Sequence, residues 1–371
     1  MRVIVTGGGT GGHIYPALAI ADKFKEIDSE TEVLYVGNEE GIEKEVVPDN
    51  GYDLKLVTAR WFDKKTPSEF VKTGIAVSKG IAQSKKIIRE FKPDVIIGTG
   101  GFVCVPMLMA GHLMKVPTYI HEQNAFPGLA NRMLERFVDN IFLGFPDAAR
   151  FFKMPQKLIE AGNPVRRSFF TISKAEAREK LEIPQEDFVV FSFGGSLGAR
   201  KINDVAFELA ELFNGHEGVT LIAGTGKWMH EDALQRLKEK GIEIKENVRI
   251  KGYIENMDLH LLASDLIISR AGALSVAEVT VCGKAAIFIP YPYATGNHQY
   301  FNAKSVADKG GAILIEENDL NTEDVVKHVL SLKNDREKLM NMCKASRSCA
   351  PDRALDIICG KIIEDCKKQN M

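Results

Sequence analysis

The 371-residue chain lacks most of the marks of a specialised class. Its six cysteines, Cys104, Cys282, Cys343, Cys349, Cys359 and Cys366, show no Cys-x-x-Cys or Cys/His spacing, so no zinc module is expected. A chain this long buries enough core to do without disulfide staples, and reduced thiols in a cytoplasmic protein are expected. The net charge of -2 offers no basic excess, which argues against a nucleic-acid partner. The apolar stretches around 102–111 and 285–294 contain prolines, and they fall short of the ~18 residues of a spanning helix. Any membrane contact is therefore expected to be peripheral. The opening Met-Arg-Val-Ile-Val-Thr has no charged head, apolar core and cleavage site, so no secretion signal is read. No glycine loop ends in Gly-Lys-Ser/Thr, which sets a P-loop NTPase aside. No Asp-x-Asp occurs either, so a sugar transferase built around a chelated metal is not expected, and no metal or cofactor is called.

What is present is an ordinary folded composition, 45% hydrophobic and 26% charged, in a length that favours two domains. Short apolar runs at 2–6, 32–36, 94–98, 117–120, 140–144 and 157–161 each lead into glycines or polar residues and then a helix-length segment. A second series follows at 188–193, 219–223, 248–251, 265–269, 285–289 and 312–315. Buried strands alternating with helices predict α/β architecture, two doubly wound parallel-sheet domains of Rossmann type. Gly162-Asn163-Pro164 punctuates the chain between the two series. The expected domains are residues 1–163 and 164–351, with an amphipathic helix at 352–371 crossing back to the first.

Glycine-rich loops stand where such sheets bind ligands, at the carboxyl ends of strands. They are Gly7-Gly8-Gly9-Thr10-Gly11-Gly12-His13, Gly98-Thr99-Gly100-Gly101, Gly194-Gly195-Ser196-Leu197-Gly198-Ala199-Arg200 and Ser269-Arg270-Ala271-Gly272-Ala273-Leu274-Ser275. Glycine allows close backbone approach, and a helix N-terminus supplies unpaired N–H groups and partial positive charge for a phosphate. The first loop also satisfies Gly-x-Gly-x-x-Gly, so a dinucleotide site of an NAD-type oxidoreductase and a bland tight turn stay open as readings. The oxidoreductase needs an acid closing the second strand, and Glu39 fits that place poorly. Arg166 and Arg270 are the candidate cations for a leaving diphosphate, with ion pairing as the alternative role for each.

Gly-Gly-Thr-Gly-Gly-His at 8–13, His-Glu-Gln-Asn at 121–124, Gly-Asn-Pro-Val-Arg at 162–166 and Gly-Gly-Ser-Leu-Gly-Ala-Arg at 194–200 together resemble the MurG family of glycosyltransferases. Ser-Arg-Ala-Gly-Ala-Leu-Ser-Val-Ala-Glu at 269–278 and His-Gln-Tyr-Phe-Asn-Ala at 298–303 extend the resemblance in order along the chain. It implies a GT-B fold with a donor cleft between two Rossmann-like domains. It also implies an inverting, metal-independent transfer of N-acetylglucosamine from UDP-N-acetylglucosamine to lipid I, the undecaprenyl-pyrophosphoryl-MurNAc-pentapeptide, giving lipid II for peptidoglycan. By the same resemblance Thr10, Gly11 and Gly12 line the diphosphate and sugar, Asn124 and Arg166 contact the donor, and Ser196 lies near phosphate. Ile254 meets uracil through its backbone. Ala273, Leu274, Ser275, Val276, Ala277 and Glu278 hold phosphate and ribose, with Glu278 on the ribose hydroxyls, and Gln299 bonds the sugar. Ala277 departs from the family pattern, where a serine is expected, so a hydroxyl contact is lost there. Another UDP-sugar-dependent glycolipid transferase is the alternative.

The acceptor 4-hydroxyl must lose a proton as it attacks C1 of an α-linked donor to give a β linkage. Histidine is the residue type suited to proton transfer near neutral pH, so His13, closing the first loop, is the candidate general base, and Glu122 is the rival. His121 and Gln123 are read as holding their loop. Residues 60–92 carry nine basic and three acidic side chains, with Phe70, Val77, Ile81 and Ile88 at helical spacing after Trp61 and Phe62. A basic helix with an apolar edge suits an anionic lipid surface, which places the protein peripherally on the cytoplasmic face of the cell membrane.

Overall fold

The computed structural model describes residues 1–60, 67–195 and 197–369, and of residues 67–71 and 369 only the backbone. Trp61, Phe62, Lys64, Lys65 and Ser196 thus lie outside the described residues, and so does the side chain of Phe70.

The chain divides into two compact units, Met1–Val165 with Pro351–Met371, and Arg166–Ala350. The first holds strands β1 (Arg2–Thr6), β2 (Glu32–Asn38), β3 (Asp53–Val57), β4 (Val95–Gly98), β5 (Thr118–Glu122), β6 (Asn140–Leu143) and β7 (Leu158–Glu160). They form one sheet in the order β3-β2-β1-β4-β5-β6-β7, every pair parallel. Val3, Ile4 and Val5 are each 0% exposed because helices cover both faces. Ile4, Ile96 and Ile120 point into one core with helices Pro67–Phe91 and Cys104–Leu113. Val3, Val5, Tyr35 and Ile97 point into the other, shared with helix Gly11–Ile27 and the terminal helix Ala354–Gln369. The terminal helix contributes Ile358, Cys359 and Ile362 to that core, Asp356 to a 3.0 Å ion pair with Lys23, and Asp365 as acceptor for the Tyr119 hydroxyl at 2.9 Å.

The second unit repeats the plan with β8 (Phe188–Phe193), β9 (Val219–Gly224), β10 (Val248–Lys251), β11 (Leu266–Ser269), β12 (Ala285–Phe288) and β13 (Ala312–Leu314). Their order is β10-β9-β8-β11-β12-β13, again all parallel. In both sheets the order reverses beside the first strand, and the glycine loops leave from the carboxyl edge at that switch point. The expected fold class holds, and all twelve expected strands are present, some shifted by a residue or two. The strand missed is β3. Its Asp-Leu-Lys-Leu-Val alternates polar and apolar because it forms an edge, half exposed, and so lacks the continuous apolar run that marked the others.

Candidate active site

In the first unit the carboxyl edge brings the loops after β1, β4 and β5 together. The residues after β1 pass through Gly9 at φ +83°, and helix Gly11–Ile27 then begins at Gly11, with Thr10 as an extended N-cap whose side chain caps nothing. Gly7 has room for no side chain, since a Cβ there would collide with Thr99, and Gly101, at φ +83°, would meet the backbone of Gly8. The Gly8 N–H donates to Gly100 O at 3.3 Å, and Thr99 Oγ1 donates to His13 O at 2.7 Å. These contacts fix the two loops against each other and leave Thr10 and Gly12 exposed at the helix start.

His13 is half-buried with its ring beside Gly100, where an added Cβ would stand 2.8 Å from Cδ2 and 3.0 Å from Nε2. Its Nδ1 lies 2.9 Å from Gly8 O. A carbonyl oxygen only accepts, so Nδ1 carries the proton and, in the neutral ring, Nε2 carries the lone pair. Thr10 Oγ1 is 3.5 Å from the same Nδ1. The contact with Gly8 O thus sets the tautomer of the ring.

Glu122 is differently placed. It is 1% exposed, and four groups donate to its carboxylate: Asn124 N–H at 2.9 Å and Asn124 Nδ2 at 3.3 Å on Oε1, Gly128 N–H at 3.0 Å and Asn131 Nδ2 at 2.8 Å on Oε2. With both oxygens engaged it anchors the loop that follows β5. His121 and Gln123 hold the same loop. Gln123 Nε2 donates to His121 Nδ1 at 3.0 Å, His121 Nε2 donates to Gly162 O at 2.9 Å, and Asn163 Nδ2 donates to Gln123 O at 2.9 Å. Burial pushes the His121 imidazolium down to about 4, so the ring is neutral. Asn124, half-buried, spends its backbone N–H and its amide on Glu122.

In the second unit the loops after β8 and β9 touch through two glycines. A Cβ on Gly198 (φ +85°) would collide with Thr225 O, and one on Gly226 (φ +90°) with Gly198 itself. Ile254, 9% exposed, lays its side chain over Gly224 at the end of β9. Helix Ala273–Val281 starts after the extended N-cap Gly272, so Ala273, Leu274 and Ser275 have the unpaired N–H groups of a first turn. Val276 and Ala277 are buried, and Val276 N–H is already bonded to Gly272 O at 2.9 Å. Glu278 sits one turn in, 15% exposed, with Arg166 Nη2 3.8 Å from its Oε1. Burial pushes its carboxyl up to about 7, opposed by Arg166 and reinforced by Asp258. Arg166 is 59% exposed, whereas Arg270 is only 14% exposed. Arg270 donates to Ile289 O at 3.1 Å and Pro290 O at 3.0 Å, pairs with Glu317 and covers the Tyr291 ring. It is therefore committed to the loop after β12. Gln299, half-buried at the start of helix His298–Ala307, accepts Tyr291 N–H at 3.0 Å on Oε1.

The oxidoreductase reading gains nothing here. β2 ends at Asn38, and Glu39 is an exposed residue past its tip. The sequence placed Thr99 and Gly100 in a glycine loop without giving either a role of its own, and it passed over Glu43, a wholly buried acid beneath the first loop. Only the close set of Gly37, Gly41 and Glu43 hinted at it.

The helix read as lipid-facing, Pro67–Phe91, turns Val77, Ile81 and Ile88 into the core of the first unit, so its apolar edge faces protein. Its exposed side chains include Lys72, Ile75, Lys79, Lys86, Arg89 and Glu90, the last 3.8 Å from Lys86. No helix among the described residues is long and apolar enough to cross a membrane.

Comparison with known proteins agrees with the fold. Residues 3–143 match the glycosyltransferase family 28 N-terminal domain, and residues 189–357 the glycosyltransferase family 28 C-terminal domain. A UDP-N-acetylglucosamine--N-acetylmuramyl-(pentapeptide) pyrophosphoryl-undecaprenol N-acetylglucosamine transferase of Alkaliphilus metalliredigens is 41% identical over 99% of this chain and 100% of its own. The transferase of that name from Desulforamulus reducens is 40% identical over 96% of this chain and 97% of its own. The crystal structure of MurG from Acinetobacter baumannii is 25% identical, with a TM-score of 0.77 over 98% of this chain and 99% of that one.

Proposed function

The chain belongs to glycosyltransferase family 28, among the N-acetylglucosamine transferases that act on pyrophosphoryl-undecaprenol substrates, and from that premise we propose the reaction it carries out and the residues that perform it. The reaction is transfer of N-acetylglucosamine from UDP-N-acetylglucosamine to the 4-hydroxyl of the MurNAc of lipid I, with inversion at C1, giving lipid II and UDP. Full-length identity to transferases of that name supports the substrates. The observation that carries the mechanism is the His13 ring, its Nδ1 held by Gly8 O at 2.9 Å and Nε2 left basic.

In this reading the first unit serves the acceptor and the second the donor. Nε2 of His13 takes the proton of the attacking hydroxyl, a step for which a placed base contributes roughly 10²–10⁴-fold. The diphosphate develops negative charge as the C1–O bond breaks. The first turn of helix Ala273–Val281, with Ser196 and Arg166, answers that charge, so the transfer is metal-independent. Glu278 accepts from the ribose hydroxyls, Ile254 meets uracil through its peptide, and Gln299 orients the sugar. At the cytoplasmic face of the membrane the stripe of Lys72, Lys79, Lys86 and Arg89 meets anionic headgroups, where each cation near the surface contributes ~1 kcal/mol.

Incubation of the protein with UDP-N-acetylglucosamine, a lipid I analogue and a chelator tests this. UDP release matched mole for mole by glycosylated acceptor is expected. UDP release without glycosylated acceptor, or stabilisation by NAD rather than UDP in a thermal shift, contradicts it.

A further inference from the structure

Beneath the first glycine loop lies a carboxylate that the transfer as described leaves unused. Glu43, the first residue of helix Glu43–Asp49, is 0% exposed. Its Oε1 accepts the Asn38 N–H at 2.9 Å and its Oε2 accepts the Gly9 N–H at 3.3 Å. No cation pairs with it among the described residues. A carboxylate removed from water without a counter-ion is costly, so its presence calls for a role.

The surroundings are shaped for it. A Cβ on Gly8 or Gly41 would collide with the carboxylate, and one on Gly37 would stand 2.6 Å from Glu43 Cγ. Three glycines therefore open the space that this one side chain fills. The N–H of Gly9 and the C=O of Gly8 belong to a single peptide group. On its other side, that C=O accepts the Nδ1–H of His13 at 2.9 Å. A carboxylate on the N–H end of a peptide draws electron density toward its oxygen, and hydrogen bonds in such a chain strengthen one another.

We propose that Glu43 is a positioning residue for His13, acting through the Gly8–Gly9 peptide to hold Nδ1–H and raise the basicity of Nε2. The proposal rests on the reading of His13 as the base. Other groups around the loop do not supply the charge. From β2, Tyr35 donates its hydroxyl to Gly7 O at 2.8 Å, and from helix Cys104–Leu113 the Cys104 thiol donates to Gly100 O at 3.0 Å. Burial holds the phenol well above its usual range and pushes the thiol up to about 12, so both are neutral. Thr10 and Thr99, which also touch His13, carry no charge. Glu39, Glu40, Lys44 and Glu45 are exposed, where water and salt screen them.

Histidine-selective ¹⁵N NMR of the wild-type protein gives the first test: Nδ1–H with a bare Nε2 is expected, and the opposite tautomer overturns the proposal. In Glu43→Gln the His13 titration midpoint moves to lower pH by about half to one unit. The acid limb of kcat/KM moves with it, and plateau kcat falls about three- to tenfold. KM for UDP-N-acetylglucosamine stays within about twofold, because no donor contact changes. Glu43→Asp, which keeps the charge, recovers part of the shift and serves if the glutamine variant does not fold. An unmoved midpoint in a folded variant overturns the proposal. A moved midpoint with an unmoved acid limb supports the peptide relay and removes His13 as the base instead.

Discussion

The guanidinium of Arg166 stands 3.8 Å from the carboxylate of Glu278, and the two differ sharply in exposure, 59% against 15%. The arginine is solvated and loses little by moving to a phosphate, while the glutamate is buried enough for its carboxyl to rise to about 7. At neutral pH Glu278 is thus poised between acceptor and donor, and a ribose hydroxyl that donates to it favours the ionised form. UDP affinity is expected to fall as pH drops through about 7. Glu278→Gln weakens UDP about tenfold or more, the scale of a hydrogen bond to a charged group. Titration calorimetry across pH 6–8 checks both, and unchanged affinity in the variant removes the ribose assignment.

The same carboxyl sets a stability slope. Its folded value of about 7 exceeds the ordinary 4.5, so between those pH values the folded form keeps a proton that the unfolded form has lost. Stability then declines as pH rises through that window. Glu278→Gln removes the penalty and stabilises the second unit by about 1–3 kcal/mol at pH 8, with little gain at pH 4.5. Denaturant unfolding at the two pH values gives the comparison, and an equal effect at both contradicts the shift.

His121 carries the opposite slope in the first unit. Its folded value near 4 lies below the ordinary 6.5, so the unfolded chain binds a proton that the folded one refuses. Stability is therefore full above 6.5 and is lost as pH falls toward 4. His121→Asn destabilises the first unit at pH 8, because Gly162 O and Gln123 lose a partner, but its loss on acidification is shallower than in wild type. Equal acid slopes in the two proteins, measured by denaturant unfolding between pH 7 and 4.5, would show that His121 does not titrate as described.

His13→Ala should lower turnover at least about a hundredfold while the protein stays folded, because the base is lost and the loop keeps its other contacts. Circular dichroism establishes the fold and single-turnover kinetics the rate. Near-normal turnover would remove His13 from the chemistry.

Membrane recruitment is expected through charge rather than insertion, since Val77, Ile81 and Ile88 are committed to the core. Lys79→Glu with Arg89→Glu should release the protein from anionic vesicles at low salt, each reversal removing ~1 kcal/mol or more. Co-sedimentation that is indifferent to these changes, or to salt, would point to another surface.

Much of the fold was legible because parallel strands buried on both faces read as continuous apolar runs, as in Val3-Ile4-Val5 and Leu266-Ile267-Ile268. The glycine loops were legible for a related reason: Gly9, Gly101 and Gly198 occupy positive φ, and Gly101 and Gly198 also touch neighbouring backbone. The role of Glu122 was not, because its four donors, from Asn124, Gly128 and Asn131, lie across a loop whose turn no periodicity encodes. The apolar edge of helix Pro67–Phe91 misled because i, i+4 and i+7 spacing marks a buried face without saying whether protein or lipid buries it. Glu43 escaped because it stands among Glu39, Glu40, Lys44 and Glu45, and an acid in so charged a segment reads as surface until its burial is seen.

The most direct test identifies the product. UDP-N-acetylglucosamine and a lipid I analogue are incubated with the wild-type protein, and the acceptor is analysed by mass spectrometry and NMR. One added N-acetylglucosamine, β-linked to the MurNAc 4-hydroxyl, is the expected result. An α linkage, attachment at another hydroxyl, or an acceptor recovered unchanged would contradict the account.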